Sequence, residues 1–232
     1  MYFAIITLFP NLFEQFAATS IIGKAVKKRL IKIKVINLRD FGQDFRKTVD
    51  DRSFGGGQGM IIKPDVAEAA IEKTKKYLDK PAKTILLTPA GKVFNQKMAE
   101  DLAKFASLLI FCGHYGGVDE RVANFVDEQV SLGDFILTGG ETAALLVIDA
   151  VTRLIPQVLP KVQGSKESFF NNLLAPPVYT KPVVFKTLTV PKVLLKGNKG
   201  EIEKWHHRQR VLKTKKVRPD LFDKYLKKMI DD

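Results

Sequence analysis

The chain has 232 residues, 45% of them hydrophobic, and a formal net charge of +13, enough for one medium domain with a full core and a small appendage. Its single cysteine, Cys112, excludes an internal disulfide framework, and with His114, His206 and His207 it makes no zinc-type spacing. The positive charge points to a polyanionic partner, with an anionic lipid surface or a plain solvated face as the alternatives.

The first residues lack a basic leader and break at Pro10, too short an apolar run for export or a membrane span. They read as a buried first strand, 4–8, of a cytoplasmic protein without a membrane partner. Short apolar or β-branched runs at 33–38, 84–87 and 108–112 read as further strands. Between and after them, apolar spacings of three and four predict helices over 65–78, 96–105, 119–125 and 142–154. This alternation predicts an α/β domain with a largely parallel sheet over residues 1–155. Residues 156–180 hold Pro156, Pro160, Gly164, Pro176 and Pro177, the chemistry of an interdomain linker. From 181 to 232 follows a small basic, mainly helical C-terminal domain, with 15 basic against 6 acidic residues and so +9 of the chain's +13. Two helices, 201–212 and 219–230, flank a basic connection made of Lys213, Lys215, Lys216 and Arg218. Phosphate contact is one use for such a tail, and a solvated helical surface is the other.

An open α/β sheet binds ligands beyond the carboxyl ends of its strands. Three small-residue loops occur there: 88–91, 113–117 and 131–141. Their glycines permit close approach of backbone groups, while Leu87, Leu132, Ile136 and Leu137 can make an apolar slot for a flat ring. No G-x-x-x-x-G-K-[ST] is present, which demotes a triphosphate hydrolase. The run Gly55-Gly56-Gly57-Gln58-Gly59 fails the dinucleotide spacing and reads as a mobile loop flanked by charges, suited to closing over a substrate.

Several ordered segments carry a resemblance that runs nearly end to end. They include Leu8-Phe9-Pro10, Arg39-Asp40-Phe41, Thr48-Val49-Asp50-Asp51-Arg52 with the glycine run, Cys112-Gly113, Asp119-Glu120-Arg121 and Gly133-Asp134 with Gly139-Gly140-Glu141. Further on come Asp149-Ala150-Val151 with Arg153, Ser168-Phe169, Tyr179-Thr180, Gly197-Asn198 and Glu201-Ile202 with Trp205. In these segments the chain resembles the bacterial tRNA (guanine-N1)-methyltransferases, the TrmD family of the SPOUT class.

The resemblance implies a trefoil-knotted sheet domain, a homodimer, and methylation of N1 of guanosine 37, in the tRNA anticodon loop. It implies S-adenosyl-L-methionine bound by Leu86, Leu87, Thr88, Pro89 and Gly91, by Gly113 and Tyr115, and by Leu132, Gly133, Asp134, Phe135, Ile136, Leu137, Gly139 and Gly140. Asp50, Arg52 and Gly59, with Lys204, Arg208 and Lys215 in the tail, are the expected tRNA contacts. Arg153 matches the family arginine that steadies the guanine O6, and Glu167 falls where the family has its catalytic base, an aspartate. Gly116 lies where a glutamate commonly contacts the guanine, His114 stands for an arginine, and Ala175 and Val178 replace an acidic residue and a histidine. No metal ligands are assigned, and magnesium is left open. A SPOUT enzyme with another target, a different base or a ribose, and a non-catalytic tRNA-binding protein are the rival readings.

Overall fold

The computed structural model describes residues 1–57, 59–160 and 167–231. The chain divides into two compact units, Met1–Leu159 and Pro160–Asp232.

The first unit is built on a five-stranded sheet in the order β2-β1-β6-β5-β7, formed by β1 (Tyr2–Thr7), β2 (Lys32–Asn37), β5 (Ala82–Val93), β6 (Ser107–Cys112) and β7 (Glu128–Ser131). Every pairing in it is parallel. The long strand β5 is irregular: Leu87 and Lys92 both pair with Val130, so residues 88–91 leave the ladder as a pouch. A separate antiparallel hairpin joins β3 (Asp50–Arg52) to β4 (Met60–Ile62).

Side chains alternate across a strand, and a parallel sheet must be covered on both faces. Phe3 and Ile5 of β1, Ile85 and Leu87 of β5, and Leu108 and Ile110 of β6 point to one face. There they meet Phe13 of α1 (Leu12–Ala18), Ile22 of α2 (Ser20–Lys27) and Val147, Ile148 and Val151 of α5 (Gly140–Thr152). Ala4, Ile6, Leu109 and Phe111 point to the other face, against Val66, Ala67, Ala70 and Ile71 of α3 (Pro64–Lys75). Each fully buried Ile, Leu or Phe contributes roughly 1.5–3 kcal/mol. These two layers therefore hold the sheet, and α4 (Gln96–Leu102) completes the first with Ala99 and Leu102.

The predicted strands all form, with boundaries moved by a residue or two, except that 84–87 is the start of the twelve-residue β5. The segment predicted as a helix over 119–125 is a 3₁₀ turn, Glu120–Phe125, started by Asp119 accepting from the Arg121 N–H.

The second unit holds a small hairpin of β8 (Val184–Phe185) and β9 (Leu188–Thr189), then α6 (Lys192–Leu195), α7 (Lys199–Val217) and α8 (Pro219–Asp231). The basic connection expected at 213–218 is a correction: Lys213, Lys215 and Lys216 lie inside α7, which ends only at Arg218. Nothing in 213–217 breaks a helix, and the break falls where Pro219 restricts the residue before it.

Candidate functional site: a cleft at the carboxyl ends of three adjacent strands

Because β6, β5 and β7 are neighbours and parallel, the segments at their carboxyl ends converge. They enclose a cleft of about 300 Å³. One wall is the pouch of β5, another is the 113–120 segment after β6, and the third is the 131–140 segment between β7 and α5.

Backbone hydrogen bonds stitch these walls together. The Gly140 N–H donates to the Gly113 carbonyl at 2.7 Å, and His114 forms an antiparallel bridge with Gly139. Gly140 permits this approach, because a Cβ there would lie 2.9 Å from the Cys112 Cα and 3.0 Å from the Gly113 nitrogen. The β3–β4 hairpin is sewn on beside them. Gly116 N–H donates to the Met60 carbonyl at 2.9 Å, Ile62 N–H to the Gly117 carbonyl at 3.0 Å, and Asp119 N–H to the Ile62 carbonyl at 3.1 Å. The described glycines of the run, 55–57 and 59, fall between the two strands of a paired hairpin, with Asp50 opposite Ile62 and Arg52 opposite Met60.

Of the predicted cofactor residues, Leu86, Leu87, Thr88, Pro89, Gly113, Tyr115, Leu132, Gly133, Phe135, Ile136, Leu137, Gly139 and Gly140 line the cleft. Gly91 and Asp134 are not on its wall. Gly91 has a packing reason instead: a Cβ there would collide with the backbone of Gln129 and Val130, closing off the pouch's return to the ladder. The cleft also takes in Val118, Asp119, Glu120, Ala123 and Gln129, which were not among the expected cofactor residues, although Asp119 and Glu120 belong to a segment that carries the resemblance. Asp119 and Arg121 form a bidentate pair at 2.8 and 2.9 Å, and the Arg121 hydrogen bonds hold the Asp119 carboxyl below its ordinary range.

Beneath the cleft lies a buried polar cluster that the sequence reading missed. Glu141, in the first turn of α5, is buried and accepts from the Thr7 hydroxyl at 2.8 Å. Its other oxygen is 3.5 Å from His114 Nδ1, and the His114 ring packs on Phe9 at 4.8 Å and Tyr115 at 5.0 Å. Tyr115 OH accepts in turn from Arg39 Nη2 at 3.3 Å. The only signal in the sequence was an acidic residue opening a helix after two glycines.

The other candidates fall in separate places. Asp50, Arg52 and Gly59 belong to the hairpin in the first unit, whereas Lys204, Arg208 and Lys215 are exposed on α7 in the second. Arg153 caps α5 at the end of the first unit's described helices, and Glu167 opens the described part of the second unit after 160. Among the described residues no group of three or more His, Cys, Asp or Glu gathers that could hold a metal, and no helix is long and apolar enough to cross a membrane.

A parallel sheet in an α/β fold, with an apolar, glycine-edged cleft at the carboxyl ends of adjacent strands, has the form of a small-ligand site. The model of one family, tRNA (guanine-1)-methyltransferase TrmD, matches residues 1–224, and the chain belongs to that family. It is 48% identical over 221 residues to a tRNA (guanine-N(1)-)-methyltransferase of Sulfurihydrogenibium sp. (strain YO3AOP1), covering 95% of this chain and 87% of that one. A relative of the same name from Malacoplasma penetrans (strain HF-2) is 46% identical over 227 residues, 98% of this chain and 99% of its own. Another, from Clostridium botulinum (strain Kyoto / Type A2), is 45% identical over 222 residues, 95% and 91% of the two chains.

Proposed function

We propose that this chain methylates N1 of guanosine 37 in the anticodon loop of tRNA, using S-adenosyl-L-methionine. The observation that carries the reading is the glycine-edged cleft in a chain whose relatives over nearly its whole length are named tRNA (guanine-N(1)-)-methyltransferase. The cofactor fits the residues present: the volume suits a nucleoside, Leu87, Leu132 and Ile136 offer apolar contact to its ring, and backbone groups around Gly113 and Gly140 are free of Cβ obstruction. Bound there, it supplies a methyl group on a positively charged sulfur.

N1 of guanine carries a proton at neutral pH, so attack through its lone pair needs a base, and Glu167 takes that proton. As the proton leaves, negative charge grows on O6, and the Arg153 guanidinium stabilises it more in the transition state than in the ground state. The glutamate is one methylene longer than the family aspartate. Asp50, Arg52 and Gly59 on the hairpin take the anticodon loop, and Lys204, Arg208 and Lys215 take phosphates. A homodimer and the trefoil knot of the SPOUT class belong to the same reading, and the strand order with β6 inserted between β1 and β5 supports it. Among the described residues no group of three or more His, Cys, Asp or Glu gathers that could hold magnesium.

The test is transfer of labelled methyl from S-adenosyl-L-methionine to a tRNA transcript with guanosines at positions 36 and 37, followed by digestion to nucleosides. Labelled 1-methylguanosine that disappears when base 37 is changed is the expected result. Label in any other nucleoside moves the chain to a different RNA target, and binding without transfer makes it a tRNA-binding protein only. Glu167→Gln is expected to lower kcat by about 10²- to 10⁴-fold, the range of a positioned acid or base.

A further inference from the structure

We propose that Arg210 and Thr214 of α7 are positioning residues for the catalytic step, holding the strained turn that presents Glu167. The inference rests on the reading of Glu167 as the base. Immediately after Glu167 the backbone makes a tight knuckle in which Phe169, Asn171 and Asn172 have φ of 75°, 53° and 56°. Asparagine tolerates this left-handed region and phenylalanine does so poorly, so three such residues among four persist only where the surroundings over-determine them.

The surroundings here are α7. Arg210 is 8% exposed and spans the knuckle with its planar fork, Nη2 donating to the Phe170 carbonyl at 2.7 Å and Nε to the Leu174 carbonyl at 3.1 Å. One turn on, the buried Thr214 hydroxyl accepts from the Leu174 N–H at 2.9 Å and donates to the Arg210 carbonyl at 2.7 Å. Within the knuckle, Phe169 N–H reaches the Leu173 carbonyl at 2.8 Å and Ser168 Oγ accepts from Ala175 N–H at 2.9 Å. Lys213 and Lys228 add contacts to the Ala175 carbonyl and the Asn171 side chain, both at 3.3 Å. The residue beside Glu167 is thus bonded into a frame whose rigid member is the helix.

Burying a guanidinium is expensive, and here its Nε and Nη2 go to two carbonyls that flank the knuckle. Fixing the two carbonyls of one turn relative to each other is something only a planar fork does, and a lysine cannot substitute. The same helix carries Lys204, Arg208 and Lys215 on a stripe about 120° round from Arg210 and Thr214, at ~100° per residue. A single rigid element therefore joins the phosphate contacts to the placement of the base, so docking of the RNA and delivery of the carboxylate are geometrically linked.

A double-mutant cycle tests this. Arg210→Gln is expected to lower kcat by about 10- to 100-fold, the scale of a misplacement near 1 Å, while KM for S-adenosyl-L-methionine and tRNA affinity stay within about twofold. Arg210→Lys should fall as far, because the charge remains and the fork is lost. If Arg210 acts through Glu167, the pair Arg210→Gln with Glu167→Gln is no slower than Glu167→Gln alone. Additive losses in the pair, or a wild-type kcat for Arg210→Gln, overturn the inference while leaving the base assignment standing. A Glu167→Gln enzyme at full rate removes the base assignment itself, and the positioning role with it. Thermal melts accompany each variant; should Arg210→Gln unfold below the assay temperature, Thr214→Val runs the same cycle, and additivity there overturns the proposal equally.

Discussion

The Glu141 carboxylate sits at the start of α5, where the helix dipole favours negative charge, and it takes the Thr7 hydroxyl at 2.8 Å. A buried carboxylate survives only with such partners. Glu141→Ala leaves the Thr7 hydroxyl proton without its acceptor, although the oxygen still takes the Phe9 N–H at 2.9 Å, and is expected to lower unfolding free energy by about 1–3 kcal/mol in urea melts. Burial and the Glu141 charge together push the Cys112 thiol well above its ordinary range. Cys112 should therefore stay unlabelled by a thiol reagent in the folded protein and react fully once unfolded. Gly91→Ala should likewise destabilise by about 1–3 kcal/mol, since the new methyl meets backbone and not a side chain that can turn aside. At this scale the sequence was legible where a residue type has one use. Gly140 makes room for the backbone of Cys112 and Gly113, and Gly91 for that of Gln129 and Val130; a sequence does not say which neighbour a missing Cβ makes room for.

Among the elements, α7 shows why helix ends are hard to read. Its start is marked by Asn198, whose side chain accepts from the Glu201 N–H at 3.3 Å. Asn198→Ala is expected to lower the stability of the second unit by about 1 kcal/mol, read from its thermal melt. Its end carried no apolar rhythm, only lysines, so the last turn looked like a connection when its buried contact is the small polar Thr214. The β3–β4 hairpin was missed for another reason: three-residue strands are too short for alternation to register, and their pairing is completed by the 116–119 backbone. At the sheet edge, Glu128 of β7 pairs with Lys92 at 3.0 Å and Lys83 at 3.5 Å, and the Lys92 hydrogen bond leads in holding its carboxyl below the ordinary range. A depressed carboxyl stabilises the fold above its unfolded-state pKa and loses that contribution as pH falls through its folded value. Glu128→Gln should accordingly flatten the acid side of a stability-against-pH curve by lowering the neutral plateau, and leave the stability below the folded-state titration little changed.

For the molecule as a whole, the parallel sheet and the helical C-terminal part were visible in the alternation of patterns, because burial on both faces writes continuous apolar strands. The order β2-β1-β6-β5-β7 was not, since nothing local in a strand names its neighbours. The uneven charge, +9 of +13 after residue 180, has a measurable consequence. Replacing Lys204, Arg208 and Lys215 together by Gln should reduce the slope of log affinity for tRNA against log salt by about 2–3, roughly one unit for each lost phosphate contact. Binding of S-adenosyl-L-methionine should be unaffected by the same change.

The pouch at 88–91 leaves the ladder and returns to it at one and the same rung, Val130. A change of length or composition confined to 88–90 would therefore leave every other strand residue its partner and its face, provided Gly91 keeps its place against Gln129 and Val130. A single deletion a residue earlier, in 84–87, exchanges the two buried faces of β5, sending Ile85 or Leu87 to the side where Leu86 packs. The fold thus separates the length of a cleft-lining stretch, 88–90, from the register of the strand that carries it.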